Sequence, residues 1–506
     1  MKNKIFSLLL VMGLIILSNS CNDYLDVNYD PSFPQTAESY SVLPPVLYQM
    51  VRGESFDDRY AGKYVQNFVH TTKNYVFDLH GYLAGSDAAG EKWRSHYWSI
   101  GKNVDLMIEQ STAKEQWDYV GVAKAIRAWS WQSSTDVYGE MILDQAWEPN
   151  RYVFDYDTQD KIYAEVVRLS EEAITDLSRT DGNVSEASLG RGDLVYKGDR
   201  EKWIKFIYAN LAHNALHLSK KSTFNADKVI EYVDKSFSSN ADNFNVPHSG
   251  TNSGDANFFG PLRNNMGSFR ASNFFVSLLN GEVFNGVIDP RISLMYTTAK
   301  DGVYRGATPG IGDTTNTASN PRRLPTLWGV DPDAYSSTTT VGKYIFTNNA
   351  DHPIITYFEL QFMKAEAAFL KGDKSMAYDA FKKGLIAHME FTKVPQSDID
   401  VYMASAAVPQ SSGALTLSDI MMQKYIALWV HGALETWVDM RRYDYSSGIY
   451  KGFTLPNPLY VDNNGVPAYR FRPRYNSEYV WNLEALKKIG GDLPNFHTTK
   501  PWYLQL

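Results

Sequence analysis

Apolar residues recur along most of this chain at spacings of three and four, the period of one face of an α-helix. Between Gln116 and Tyr138, the residues Val122, Ile126 and Trp129 fall on one stripe. Ile162, Val166, Leu169 and Ile174 continue the pattern over Asp157 to Leu177. Trp203, Phe206, Ile207, Leu211 and Leu218 mark a third stripe, and Leu360, Met363, Ala367 and Leu370 a fourth. Such stripes predict helices packed through one face, so the tryptophans within them carry no functional weight. The fold class is mainly α.

One stretch is more specific. Ala367 to Leu385 reads AAFLKGDKSMAYDAFKKGL and superimposes on the turn and second helix of a tetratricopeptide repeat. Gly372-Asp373 ends the first helix where a tight turn needs a small residue. Ala377, Phe381 and Gly384 take the small, aromatic and small positions that let two helices pack closely. One helix pair buries too little alone and must stack on neighbours. Weaker pairs at 116–178, 201–238 and 420–440 bring the scaffold to about four tetratricopeptide-like pairs. Loop-rich insertions are expected near 44–100 and 240–355, the second with a low-complexity tract from Gly310 to Asn320. Long irregular segments on a rigid scaffold are where binding usually resides.

The N-terminus reads as an export signal over residues 1–20. Lys2 and Lys4 precede an apolar run from Ile5 to Leu17 of about 13 residues, short of the roughly 20 that span a bilayer as a helix. Leu17-Ser18-Asn19-Ser20 leads into Cys21, the only cysteine of the chain. This resembles a bacterial lipobox, in which the cysteine thiol accepts a diacylglyceryl group. With no second cysteine an intramolecular disulfide is impossible, and acylation would consume an otherwise exposed thiol. Residues 21–43, polar with Pro31 and Pro34, are expected to tether a single domain over 44–506.

Charge narrows the partners. The chain carries 49 basic against 57 acidic residues, a net charge of −8, and no basic block survives outside the signal. That argues against nucleic acid as a partner. The content of 44% hydrophobic and 21% charged residues is that of a globular protein. Catalytic motifs are missing. His213 and His217 have the i, i+4 spacing of metal ligands, but Asn214, Ala215 and Leu216 between them supply no general base, and they are read as ordinary helix histidines. Gly310-Ile311-Gly312 opens no dinucleotide loop, and no nucleophile elbow or phosphate-binding loop occurs. Arg191-Gly192-Asp193 is read as a turn. No catalytic residue, metal ligand or cofactor is expected; bound calcium is left open.

Several segments in order resemble the SusD/RagB family of outer-membrane nutrient-binding lipoproteins. They are Asn22-Asp23-Tyr24-Leu25-Asp26 after the cysteine, Ala125 to Ala128 leading to Asp136-Val137-Tyr138-Gly139, and Lys197-Gly198-Asp199 with Trp203. Phe269 to Ser272, Asp289-Pro290-Arg291, Phe362 to Ala367, Gln423 to Leu428 and Glu435 to Arg442 follow. The C-terminal run departs from the family, with Asn476 after Tyr475 where proline is usual, before Glu478 and Asn482. The resemblance implies a lid over a SusC-type TonB-dependent transporter. It also implies a lipid anchor facing the cell exterior, a captured ligand and no bond chemistry. Trp437, Asp439 and Arg441 are read as helix packing rather than ligand contact.

Tyrosine and tryptophan, 33 and 12 in number, suit an oligosaccharide ligand, because sugar C–H faces pack on flat rings while polar groups bind hydroxyls. The candidate contacts are those in the insertions: Tyr75, Asp78 and Trp93 in the first, Asn264, Trp328 and Tyr335 in the second. Oligopeptide capture and a protein-binding tetratricopeptide adaptor are the alternatives.

Overall fold

A computed structural model describes residues 37–506; Cys21, the signal segment and the tether up to residue 36 lie outside them. The first element, α1 (Ser39–Tyr64), corrects the expected tether and insertion boundary. Its Pro44 and Pro45 suggest a break, yet both sit in the second turn. Val42, Leu43, Val46, Leu47, Met50 and Val51 lie buried along one face. Burying each is worth about 1.5–3 kcal/mol and each interior proline costs about 3, so the apolar face decides the outcome.

The scaffold continues through α2 (Glu91–Arg94), a π-helical segment Ser95–Lys102, α3 (Asn103–Ala113), α4 (Trp117–Tyr138) and α5 (Gln159–Leu177). Then come α6 (Arg200–His217), α7 (Ala226–Lys235), α8 (Tyr357–Lys371), α9 (Lys374–Phe391), α10 (Leu417–Ala427) and α11 (Ala433–Arg442). Packing runs α3–α4–α5–α6–α7–α8–α9, each helix on the next, as the stacked-pair pattern predicts. α10 leans on α8, and α11 turns away to lie along α1. Among the described residues no helix is long and apolar enough to cross a membrane.

The α8–α9 hairpin shows how local chemistry sets this geometry. Thr356 and Glu359 close a reciprocal capping box at the start of α8. Gly372 ends it at φ +91°, a left-handed conformation that a Cβ would strain. Asp373 caps α9 through the Met376 N–H at 3.0 Å. At Gly384 a Cβ would stand 3.1 Å from the Phe358 carbonyl and from the Phe362 ring, so a side chain there would push the helices apart by a few tenths of an ångström.

Two short antiparallel ribbons tie the insertions together, one joining the first to the second and one closing the second on itself. β1 (Phe68–His70) pairs with β3 (Phe269–Ala271), and β2 (Phe244–Val246) with β4 (His352–Ile355). In the Arg-Gly-Asp tripeptide Arg191 is exposed, while Asp193 is a buried loop anchor. Asp193 accepts the N–H groups of Val195, Tyr196 and Gly198 and the indole N–H of Trp203.

The Glu435–Arg442 run is core, as expected. Arg441 lies 3.9 Å over the Trp437 ring and donates to the carbonyls of Asp136 and Tyr469, at 2.9 and 2.8 Å. The charge pairing belongs to its neighbour. Arg442 grips Glu366 at 2.6 and 3.0 Å and Asp439 at 2.5 Å, all fully buried.

Candidate functional site

An apolar cleft with a volume of about 680 Å³ lies where three distant segments meet. Its floor is aromatic. Trp93 from α2 and Tyr97 from the π segment have ring centroids 5.0 Å apart, and Trp147, from the loop after α4, stands 5.9 Å from Tyr97. The Tyr97 hydroxyl donates to the Ile142 carbonyl at 3.0 Å and accepts the Ile142 N–H at 2.7 Å. Trp147 returns its indole N–H to the Tyr97 carbonyl at 2.7 Å. Its backbone holds φ +63°, a left-handed value that costs a bulky residue and persists here under these contacts.

Above this floor Trp98 projects into solvent, 67% exposed. Trp98 shares its face with Arg94 and Lys102, opposite the buried row of Trp93, His96 and Ile100. Arg94, Lys102, Glu148 and Arg474 rim the opening. The C-terminal lip is fixed by Asn476, which departs from the family pattern, and by Glu478 and Asn482, which follow it. Asn476 binds Asp87 through its backbone N–H at 2.9 Å and its amide at 2.6 Å. Asn482 holds both the N–H and the carbonyl of Phe154, each at 2.9 Å, and the Glu478 carboxylate takes the Tyr156 hydroxyl at 2.6 Å. On these two joined segments stand Tyr152, 83% exposed, and Trp481, 76% exposed.

Asp57 of α1 positions the aromatic floor from below. Its Oδ2 accepts the Lys92 N–H at 2.8 Å, while the Tyr138 hydroxyl accepts the Trp93 N–H at 3.1 Å and donates to the Ala89 carbonyl at 2.8 Å. Burial pushes the Asp57 carboxyl up to about 7, against the lowering effect of the Lys92 N–H. A raised folded-state value means the fold favours the protonated form. Stability from this group is present at acid pH and lost as pH rises from the ordinary carboxylate range through about 7. Thermal unfolding at pH 5 and pH 8 should therefore show a smaller fall for Asp57→Asn than for the parent chain.

The residues singled out in the sequence fall into three places. Trp93 lines the cleft but is almost fully buried. Tyr75 stacks on His70 at 4.0 Å, half-buried beside β1. Asp78 is buried beneath it with its carboxylate on the His70 N–H at 3.0 Å, so it serves the ribbon rather than a ligand. Burial lifts the Asp78 carboxyl to about 7 and lowers the nearby Lys63 ammonium to about 7. Asn264, Trp328 and Tyr335 cluster in the second insertion. Trp328 is 1% exposed, its indole N–H spent on the Phe259 carbonyl at 2.7 Å and its face covered by Tyr335 at 4.5 Å. That burial corrects its reading as a contact residue; Tyr335 and the exposed Asn264 remain the accessible members. Trp98, Trp147 and Glu478, absent from the expected set, build the cleft instead. The aromatic run Trp93–Tyr97–Trp98 was its only sequence signal.

The helical fold is shared with known proteins. A family profile described as "Starch-binding associating with outer membrane" matches residues 31–472. The fold is similar to a SusD/RagB family protein from Bacteroides thetaiotaomicron at 22% identity and a TM-score of 0.67, covering 93% of this chain and 99% of that one. A chitin-binding protein matches at 21% identity and 0.71, covering 93% and 100%. A chitin-binding SusD homologue from Flavobacterium johnsoniae matches at 20% and 0.69, covering 92% and 96%. No curated protein sequence matches the chain. With the profile spanning most of its length, the chain belongs to the SusD-like family of proteins described as starch-binding and associating with the outer membrane.

Proposed function

We propose that this protein captures an oligosaccharide at the outer surface of the outer membrane, held there through a lipid on Cys21, and passes it to a SusC-type TonB-dependent transporter without cleaving it. The observation that carries the reading is Trp98, a tryptophan standing in solvent over an aromatic-floored cleft with a charged rim. A flat ring with one wet edge suits the C–H face of a sugar, and the cleft volume falls within the range of small-ligand sites. Two structural relatives named as chitin-binding make N-acetylated glycans the first class to try.

Calorimetry of the purified chain against chito-oligosaccharides, malto-oligosaccharides and mixed peptides tests this directly. One glycan class should bind and be recovered intact by mass spectrometry. Binding confined to peptides, or release of new reducing ends, would overturn the reading.

A further inference from the structure

A second site lies inside the helical scaffold, lined by residues outside the aromatic cleft. His213 and His217 stand one turn apart on α6. Folding brings Glu359 from α8 and Glu435 from α11 to them. His213 Nε2 lies 2.8 Å from Glu359 Oε1 and 4.0 Å from Glu435 Oε1, and one ligand atom from each of the three falls within 4.8 Å of the others. Donors 2.0–2.2 Å from a tetrahedral ion are about 3.4 Å apart, so the observed separations bracket what such an ion needs. His217 Nε2 meets the Glu435 carboxylate at 3.2 Å and its Nδ1 meets Asp136 at 3.0 Å, an outer contact that orients Glu435.

Two further observations point to a ligand here. These side chains surround a cavity of about 60 Å³, room for one or two water-sized species. His431, 5% exposed, lines the same cavity with neither ring nitrogen hydrogen-bonded among the described residues. The charge count is also unbalanced. Asp136, Glu359, Glu366, Glu435 and Asp439 form one connected network. Against these five carboxylates stand Lys424, Arg442 and, through the Asp136 carbonyl, Arg441. His217, with a carboxylate on each ring nitrogen, carries one further positive charge, so with His213 as a neutral ligand one negative charge remains for a bound cation to offset.

We propose that His213, Glu359 and Glu435 bind a first-row divalent cation of the zinc class, with the cavity supplying its remaining position. Imidazole and carboxylate donors in a small tetrahedral space suit that class. Because the ligands come from α6, α8 and α11, the ion would clamp three helices. The partial exposure of the Glu435 side chain, 15%, leaves an entry path.

The test uses the whole folded chain. Protein stripped by chelator and desalted is titrated with Co²⁺, then with Zn²⁺, and metal content is read after a second desalting. One retained equivalent, a tetrahedral Co²⁺ visible spectrum that Zn²⁺ displaces, and a raised unfolding temperature are expected. His213→Gln should abolish the spectrum. Retention below a tenth of an equivalent by the parent chain would overturn the proposal and leave protonated histidines to balance the charge. A spectrum unchanged in His213→Gln would overturn it as well.

Discussion

Trp98→Ala is expected to weaken oligosaccharide binding by about 10- to 100-fold, on the order of 1.4–2.8 kcal/mol, while leaving the unfolding midpoint nearly unchanged. The two halves of that expectation come from one fact. A side chain 67% exposed contributes little to packing, so its area is available to a ligand. Trp328→Ala should behave in the opposite way. It removes a ring that is 1% exposed and hydrogen-bonded, and core tryptophans cost about 3–5 kcal/mol when truncated. Calorimetry paired with denaturant unfolding separates the two outcomes. Full affinity in Trp98→Ala together with loss in Tyr335→Ala would move the site to the second insertion.

Glu366→Ala should destabilise the chain by about 3–5 kcal/mol, the usual cost of leaving one partner of a buried ion pair uncompensated. Arg442 would then face Asp439 alone, with its second carboxylate gone from a site that water does not reach. Burial alone would raise the Glu366 carboxyl, but Arg442 beside it outweighs that and holds the group below the usual carboxylate range. A depressed folded-state value makes this pair's contribution present at neutral pH and lost as pH falls into the acid range. Replacing both partners by apolar residues, Glu366→Leu with Arg442→Met, should recover a large part of the loss. Fluorescence-monitored denaturation of the single and double variants checks both statements.

How much of this was legible beforehand depends on distance along the chain. The helix pairs were, because their signals are local: apolar stripes of one period, Gly372 at a left-handed turn, Asp373 as a cap. α1 was hidden by Pro44-Pro45, where a breaker outvoted an apolar face that only burial reveals. The candidate cleft was half-visible. Its aromatic run could be found, but not which ring faced solvent. The wall formed by Phe154 and Glu478 depends on Asn482, more than three hundred residues further along than Phe154. For the same reason His213 and His217 looked ordinary until α8 and α11 brought Glu359 and Glu435 beside them.

The lip fastened by Asn476 and Asn482 makes the cleft a latch between the early and late parts of the chain. Asp87 and Asn476, its two sides, are almost four hundred positions apart. Contacts of such long range form slowly and late. The cleft is therefore specified only once nearly all of the sequence is in place. Anything bound there touches both sides of the seam and adds its own binding energy to holding it shut. Occupancy would be felt as resistance to opening along that seam, a mechanical signature of cargo that an empty molecule lacks.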